Sequence, residues 1–196
     1  MNDATGKPSP TNTRKWLAVG IAVVIVWALI ASSSRKLFKV GEMEPPVLDM
    51  TEVPRPLDFR WKLEDLDGKP VDFAKFKGRP ILLNLWATWC PPCIQEMPSI
   101  AALAASEELK GRDIAFLCVA TDESAGAVRS FLKDKGWPMT MLRATSVPPA
   151  FQTEGIPATF LISPDGRVVA DEMGAANWND PSVIYALQKL ANMKPR

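Results

Sequence analysis

The first sustained apolar stretch runs from Trp16 to Ala31, sixteen residues without a charge, and continues uncharged through Ser34. About 20 residues span a bilayer core, whereas the apolar region of a signal peptide has about 7–15. Residues 16–34 are therefore expected to be a transmembrane anchor or a signal segment, with Ala31-x-Ser33 as a weak cleavage candidate, behind a short tail at 1–15. Pro45, Pro46, Pro54 and Pro56 then stand among Glu42, Glu44, Asp49 and Glu52, the composition of a semi-rigid linker over 35–58.

From Phe59 the pattern becomes that of a folded domain, expected over 59–193. Phe59–Leu66 and Pro70–Phe73 surround the turn dipeptide Asp67-Gly68 and predict an N-terminal β-hairpin. Ile81–Trp86 is a short apolar run typical of a strand buried on both faces. Residues 93–110 read as a helix carrying Pro98 as a kink and Gly111 as its stop. Asp113–Ala120 is a second buried strand, Ser124–Lys135 a helix closed by Gly136, and Met139–Leu142 a further strand. Thr159–Ser163 and Arg167–Glu172 form a second hairpin about Pro164-Asp165-Gly166, and Pro181–Met193 is a closing helix with Val183, Ile184, Leu187 and Leu190 at helical spacing. The order βββαβαβββα predicts an α/β fold: a central mixed β-sheet, parallel at its centre, flanked by helices.

Charge and composition exclude several functions. Of 23 Lys and Arg and 22 Asp and Glu, residues 1–34 hold three and one, leaving 20 and 21 in the remainder. A remainder near neutrality has no electrostatic case for nucleic acid. Histidine is absent, so Ser-His-Asp and Cys-His nucleophiles and histidine metal sites cannot be built. With Cys90, Cys93 and Cys118 as the only cysteines, the four Cys/His ligands of a zinc ribbon or finger are not available, and no metal or cofactor is expected.

What remains is Cys90-Pro91-Pro92-Cys93, where a strand hands over to a helix. Three-residue spacing stacks both sulfurs on one turn, close enough to bridge. The helix N-terminus favours a thiolate on the first cysteine, so Cys90 is the expected nucleophile and Cys93 resolves the mixed disulfide. Pro91 and Pro92 suit the first helical turn and stiffen the ring that the sulfurs close. Cys118, within an apolar strand, reads as an inert core thiol.

The run Leu82-Leu83-Asn84-Leu85-Trp86-Ala87-Thr88-Trp89-Cys90-Pro91-Pro92-Cys93 resembles the active-site strand and motif of the thioredoxin superfamily. With Ile94-Gln95-Glu96-Met97-Pro98 and Gly155-Ile156-Pro157-Ala158-Thr159-Phe160, it is similar to the membrane-anchored TlpA/ResA-like branch, associated with cytochrome c maturation and extracytoplasmic thiol reduction. The resemblance, covering roughly residues 59–193, implies a thioredoxin-like fold with Pro157 as a cis-proline facing the sulfur pair. It further implies that the Ile156 backbone pairs with an extended substrate segment, and that Trp89 shields the sulfurs and contacts partners. Thioredoxins carry a buried Asp on the strand before the motif; Asn84 stands there, and Glu96 resembles the acid/base that replaces it in this branch.

Expected partners are protein thiols or disulfides, an apocytochrome c or a metallochaperone pair among them, and a membrane thiol reductant that recharges the site. Lys7, Arg14 and Lys15 before the apolar segment balance Arg35, Lys36 and Lys39 after it, so charge leaves orientation open. A single N-terminal span ordinarily exports the chain beyond it, which places the domain on the periplasmic or outer face of the cytoplasmic membrane. The residues leave the direction of electron flow open, and the resemblance to the TlpA/ResA-like branch implies a reductase. A peroxiredoxin-like peroxidase and a non-catalytic tethered adaptor are the alternatives.

Overall fold

The computed structural model describes Ile25 and residues 43–50 and 55–193. Apart from Ile25, the expected membrane segment at 16–34 lies outside the described residues, as do the tail at 1–15 and residues 35–42 and 51–54 of the expected linker. Among the described residues no helix is long and apolar enough to cross a membrane. The chain divides after Glu42, and the sheet belongs to the unit Met43–Arg196.

Where it is described, the Pro-rich stretch is joined to the domain rather than free of it. Arg55–Pro56 forms β1, an edge strand that a proline can occupy because its missing N–H faces away from the ladder. Leu57 N–H donates to the Gly166 carbonyl at 3.0 Å, and Asn177 N–H to the Glu44 carbonyl at 2.8 Å. Leu48 and Met50 pack on one core cluster, Leu57 and Phe59 on the other. Only a few side chains here reach the core, and extended backbone with these anchoring residues suffices for docking. Gly166 lets this happen: it adopts φ +77°, and a Cβ there would lie 2.8 Å from the Phe59 ring.

The predicted hairpin is present but short, with β2 (Lys62–Glu64) antiparallel to β3 (Pro70–Asp72). Beyond it, residues 73–76 turn into a 3-10 helix capped by Asp72, which buries Phe73 and Phe76 instead of extending the strand. Then come β4 (Ile81–Trp86), α1 (Pro91–Ala104), β5 (Ala115–Ala120), α2 (Ala125–Leu132), β6 (Thr140–Arg143), β7 (Ala158–Ile162), β8 (Arg167–Met173) and α3 (Pro181–Ala191). Helix α1 stops at Ala104 rather than residue 110, and Glu107–Leu109 forms a separate 3-10 turn. Carried on to 110, the helix would have set Glu107 and Glu108 against its negative C-terminal dipole. Pro98 sits inside α1 without ending it.

The eight strands form one mixed sheet in the order β1-β8-β7-β4-β5-β6-β2-β3, parallel across β4-β5-β6 and antiparallel elsewhere. Alternation along β4 decides the two faces. Leu82 and Trp86 join Met97, Ile100 and Leu103 of α1, Val128 of α2, and Val183, Leu187 and Leu190 of α3. Ile81, Leu83 and Leu85 face the other way, against Trp61, Phe73, Phe76, Phe151 and Phe160. The helices α1, α2 and α3 thus supply one layer, while aromatic rings from 3-10 turns and strands close the opposite face. Each fully buried Val, Leu, Ile, Phe or Met among them contributes about 1.5–3 kcal/mol. Asn84 is the exception on the helix side of β4: a polar residue with no exposure in the middle of that layer.

Candidate active site

The site begins where β4 leaves the sheet. Residues 87–89 carry the chain from Trp86 to the start of α1, and the turn is held from outside: Thr88 N–H and hydroxyl both donate to the buried Asp122 carboxylate. Cys90 is the N-cap of α1, its N–H donating to the Ala87 carbonyl and its carbonyl accepting from Ile94. Cys90 and Cys93 are joined by a disulfide with their Cα atoms 5.3 Å apart. Cys90 is 4% exposed and Cys93 fully buried, so an incoming sulfur has access only to the first.

Few groups touch the Cys90 sulfur. Cys93 N–H points at it from 3.3 Å, and the Ile156 carbonyl oxygen lies 3.7 Å away. An N-cap side chain ordinarily accepts from the amides at the second and third helical positions. Pro91 and Pro92 occupy the first and second, so only the third, Cys93, has a proton to give. The prolines are exposed, and they thin the donor set around Cys90 as well as stiffening the ring.

Opposite the pair, Pro157 follows a cis peptide bond after Ile156, the form that the resemblance implies. Pro157 is buried and Ile156 half-buried. Trp89, beside Cys90, is 68% exposed, far more than a side chain folded over the sulfurs would be. It stands out as a rim residue rather than as a shield.

Behind the pair, one turn along α1 from Cys93, Glu96 is wholly buried. Its Oε1 accepts from Asn84 Nδ2 at 2.7 Å; its Oε2 accepts from Ala176 N–H at 3.2 Å and Trp178 Nε1–H at 2.9 Å. Burial raises the Glu96 pKa to about 7, against the pull of the Trp178, Ala176 and Asn84 donors. A carboxyl titrating there can take or return a proton near neutral pH. Asn84 Nδ2 also donates to Thr159 Oγ1 on β7 at 2.8 Å, across the register pair Asn84–Thr159. On its other side Asn84 is paired with Cys118, whose thiol pKa is pushed up first by burial and then by the Glu96 charge. Cys118 is a core thiol, outside the bridged pair.

No pattern in the sequence assigns Trp178, Ala176 or Asp122 to the site, and Thr159 enters it only as a member of the run Gly155–Phe160. No periodicity marks the loop between β8 and α3, and a tryptophan set between Asn177 and Asn179 is the one visible signal there. Among the described residues no group of three or more acidic, cysteine or histidine side chains could hold a metal.

Residues 49–187, spanning the disulfide, the cis-proline and the whole sheet core, match the Redoxin family. The chain belongs to the Redoxin family. It is 30% identical over 158 residues to the thiol-disulfide oxidoreductase ResA of Bacillus subtilis (strain 168), covering 80% of this chain and 83% of that one. It is also similar to a solved thiol:disulfide interchange protein of the thioredoxin family from Chlorobium tepidum TLS, at 25% identity and TM-score 0.57, covering 72% of this chain and 99% of that one. A secreted disulfide oxidoreductase of Mycobacterium tuberculosis matches at 29% identity and TM-score 0.54, covering 66% and 97%. The chain is thus a ResA-like member of the thioredoxin superfamily, and its bridged Cys90–Cys93 pair is a thiol–disulfide exchange centre.

Proposed function

We propose that this redoxin reduces disulfides of protein substrates outside the cytoplasmic membrane, held there by residues 16–34. The Cys90 thiolate attacks a substrate disulfide, one substrate sulfur leaves as a thiolate, and a mixed disulfide forms. Cys93 then loses its proton to Glu96 and attacks the Cys90 sulfur, expelling the second substrate thiolate and closing the bridge. Two electrons have passed to the substrate, and a membrane thiol reductant returns them to the pair. The Ile156 carbonyl and Trp89 supply the backbone edge and apolar rim against which an extended substrate segment lies.

The observation that carries the direction is the sparse donor set at Cys90. Strong oxidants of this fold are oxidising because their reduced form is stabilised. Here the sulfur has one backbone N–H at 3.3 Å, with a carbonyl oxygen at 3.7 Å on its other side. A poorly stabilised thiolate favours the bridged state and makes the dithiol a good donor of electrons. Redox equilibration with glutathione tests this. A potential of about −200 to −270 mV is expected, and one above about −150 mV, near the strong periplasmic oxidants, overturns the reductase reading. Cys93→Ser should also trap substrates as mixed disulfides through Cys90, a product that Cys90→Ser cannot form. A reporter fused after Arg196 that is active only in the cytoplasm would overturn the placement.

A further inference from the structure

Both oxygens of Glu96 face hydrogen-bond donors, and the donors are of two kinds. Ala176 N–H and the Trp178 indole can only donate, so Oε2 is held as an acceptor in every state of the carboxyl. A proton on Glu96 must therefore sit on Oε1, the oxygen 2.7 Å from Asn84 Nδ2. As the side chains stand, an Oε1–H would meet an N–H: two donors face to face in a site closed to water. Asn84 alone among these partners carries both a donor and an acceptor. Its Oδ1 is buried with no hydrogen-bond partner among the described residues. Its second contact tolerates either orientation, because the Thr159 hydroxyl accepts from Nδ2 at 2.8 Å and can equally donate to an oxygen placed there.

We propose that Asn84 is the positioning residue for the Glu96 proton, its side-chain amide reversing by a half-turn each time Glu96 gains or loses that proton. With Glu96 ionised, Nδ2 donates to Oε1 and to Thr159. With Glu96 protonated, Oδ1 accepts from Oε1–H and from the Thr159 hydroxyl. In each state the amide then offers Oε1 and the Thr159 hydroxyl a complementary partner while its other end stays unpaired, Oδ1 in the first and Nδ2 in the second, and one buried carboxyl can act as base and as acid without opening the core. A fixed aspartate or a fixed donor at this place would serve only one of the two. The groups facing Glu96 leave its titration isolated in the bridged protein: Cys93 on α1 is in the disulfide, Cys118 on β5 is a thiol whose pKa is raised, and Asn84, Thr159, Ala176 and Trp178 carry no charge. The Glu96 pKa near 7 places the reversal in a range that the folded protein can be taken through.

In turnover the inference rests on the reading that Glu96 takes the Cys93 proton, but the reversal itself is read in the bridged protein without substrate. Failure here leaves the reductase reading untouched, and a high reduction potential leaves this one untouched. The experiment tracks the Asn84 Nδ2 protons and Glu96 Cδ by NMR in the full, oxidised chain from pH 5 to 9. Expected are shifts of both Nδ2 protons at the Glu96 midpoint, since both lose their acceptors together. If only the proton facing Glu96 moves and the one facing Thr159 keeps its shift, the amide is fixed and the proposal fails. Asn84→Leu removes the partner of both states, and the charged state loses more by it. The Glu96 midpoint should then rise by about one pH unit, and an unchanged midpoint would overturn the proposal. Should that variant not fold, the wild-type spectra still decide.

Discussion

Replacing Pro92 with alanine restores the amide that the N-cap sulfur lacks. Among the described residues Cys90 accepts from Cys93 N–H alone, at 3.3 Å, because Pro91 and Pro92 fill the first two helical positions. An amide at the second position would aim at the same sulfur. A hydrogen bond to a charged group contributes about 1.5–3 kcal/mol, and at 4% exposure little of that is lost to water. At about 1.4 kcal/mol per pKa unit, the Cys90 thiol should become about one to two units more acidic. For this two-electron couple about 30 mV corresponds to about 1.4 kcal/mol, so the potential should rise by about 30–60 mV where the thiolate is the populated form. Less of the effect appears at lower pH, where the proton and not the new amide stabilises the sulfur. Thiolate absorbance during titration and glutathione equilibration at two pH values measure both quantities. Pro91→Ala is the control, since an amide at the first position does not point at the N-cap side chain. If both replacements shift Cys90 equally, ring stiffness and not donor number governs the site, and if neither shifts it, donor number does not set the acidity of Cys90.

The raised pKa of Glu96 predicts the pH dependence of folding. In the native protein Glu96 keeps its proton up to a pKa of about 7, against 4.5 ordinarily, so the folded state binds more protons between those values and stability falls as pH rises through them. The loss is roughly 3 kcal/mol, complete above pH 7. Glu96→Gln should remove it, and urea unfolding curves of the two proteins that remain parallel from pH 4 to pH 8 would refute the assignment. Trp178→Phe takes one N–H from Oε2 and should move the Glu96 midpoint upward by about one unit, read by NMR in the oxidised chain. Cys118 should not react with thiol reagents in the reduced native protein, whereas Cys90 should. Cys118→Ser should cost about 1–3 kcal/mol by burying a hydroxyl in an apolar layer, with exchange activity retained.

What was legible in the sequence was whatever is decided by neighbours along the chain. The strands Ile81–Trp86 and Ala115–Ala120 announce themselves because buried parallel strands are continuously apolar, and the helices because their apolar residues recur at helical spacing. The Cys90–Cys93 pair sits at the expected strand-to-helix junction for the same local reason. Errors gathered where tertiary partners override composition. Arg55–Pro56 joins the sheet because β8 offers an unpaired edge, and nothing in residues 35–58 themselves could say so. Phe73, expected to end the hairpin strand, opens a 3-10 turn instead because the core on that face has room for Phe73 and Phe76.

The surroundings of Glu96 show the same division within the site. Its spacing from Cys93 is local and could be read directly, and so could the substitution of Asn84 for a titrating residue. The groups that decide what Glu96 can do are not local. Asn84 is 12 residues away in sequence, Ala176 80 and Trp178 82, and the packing of α1 on β4 and of the loop after β8 against α1 brings them together. Burial without those three donors would push the carboxyl still further from ionising, and the donors without burial would hold it ionised at neutral pH. Either alone leaves a group that cannot exchange a proton at neutral pH. The balance belongs to the fold, so replacing a donor that lies far from Glu96 in the chain should move its midpoint without touching either sulfur.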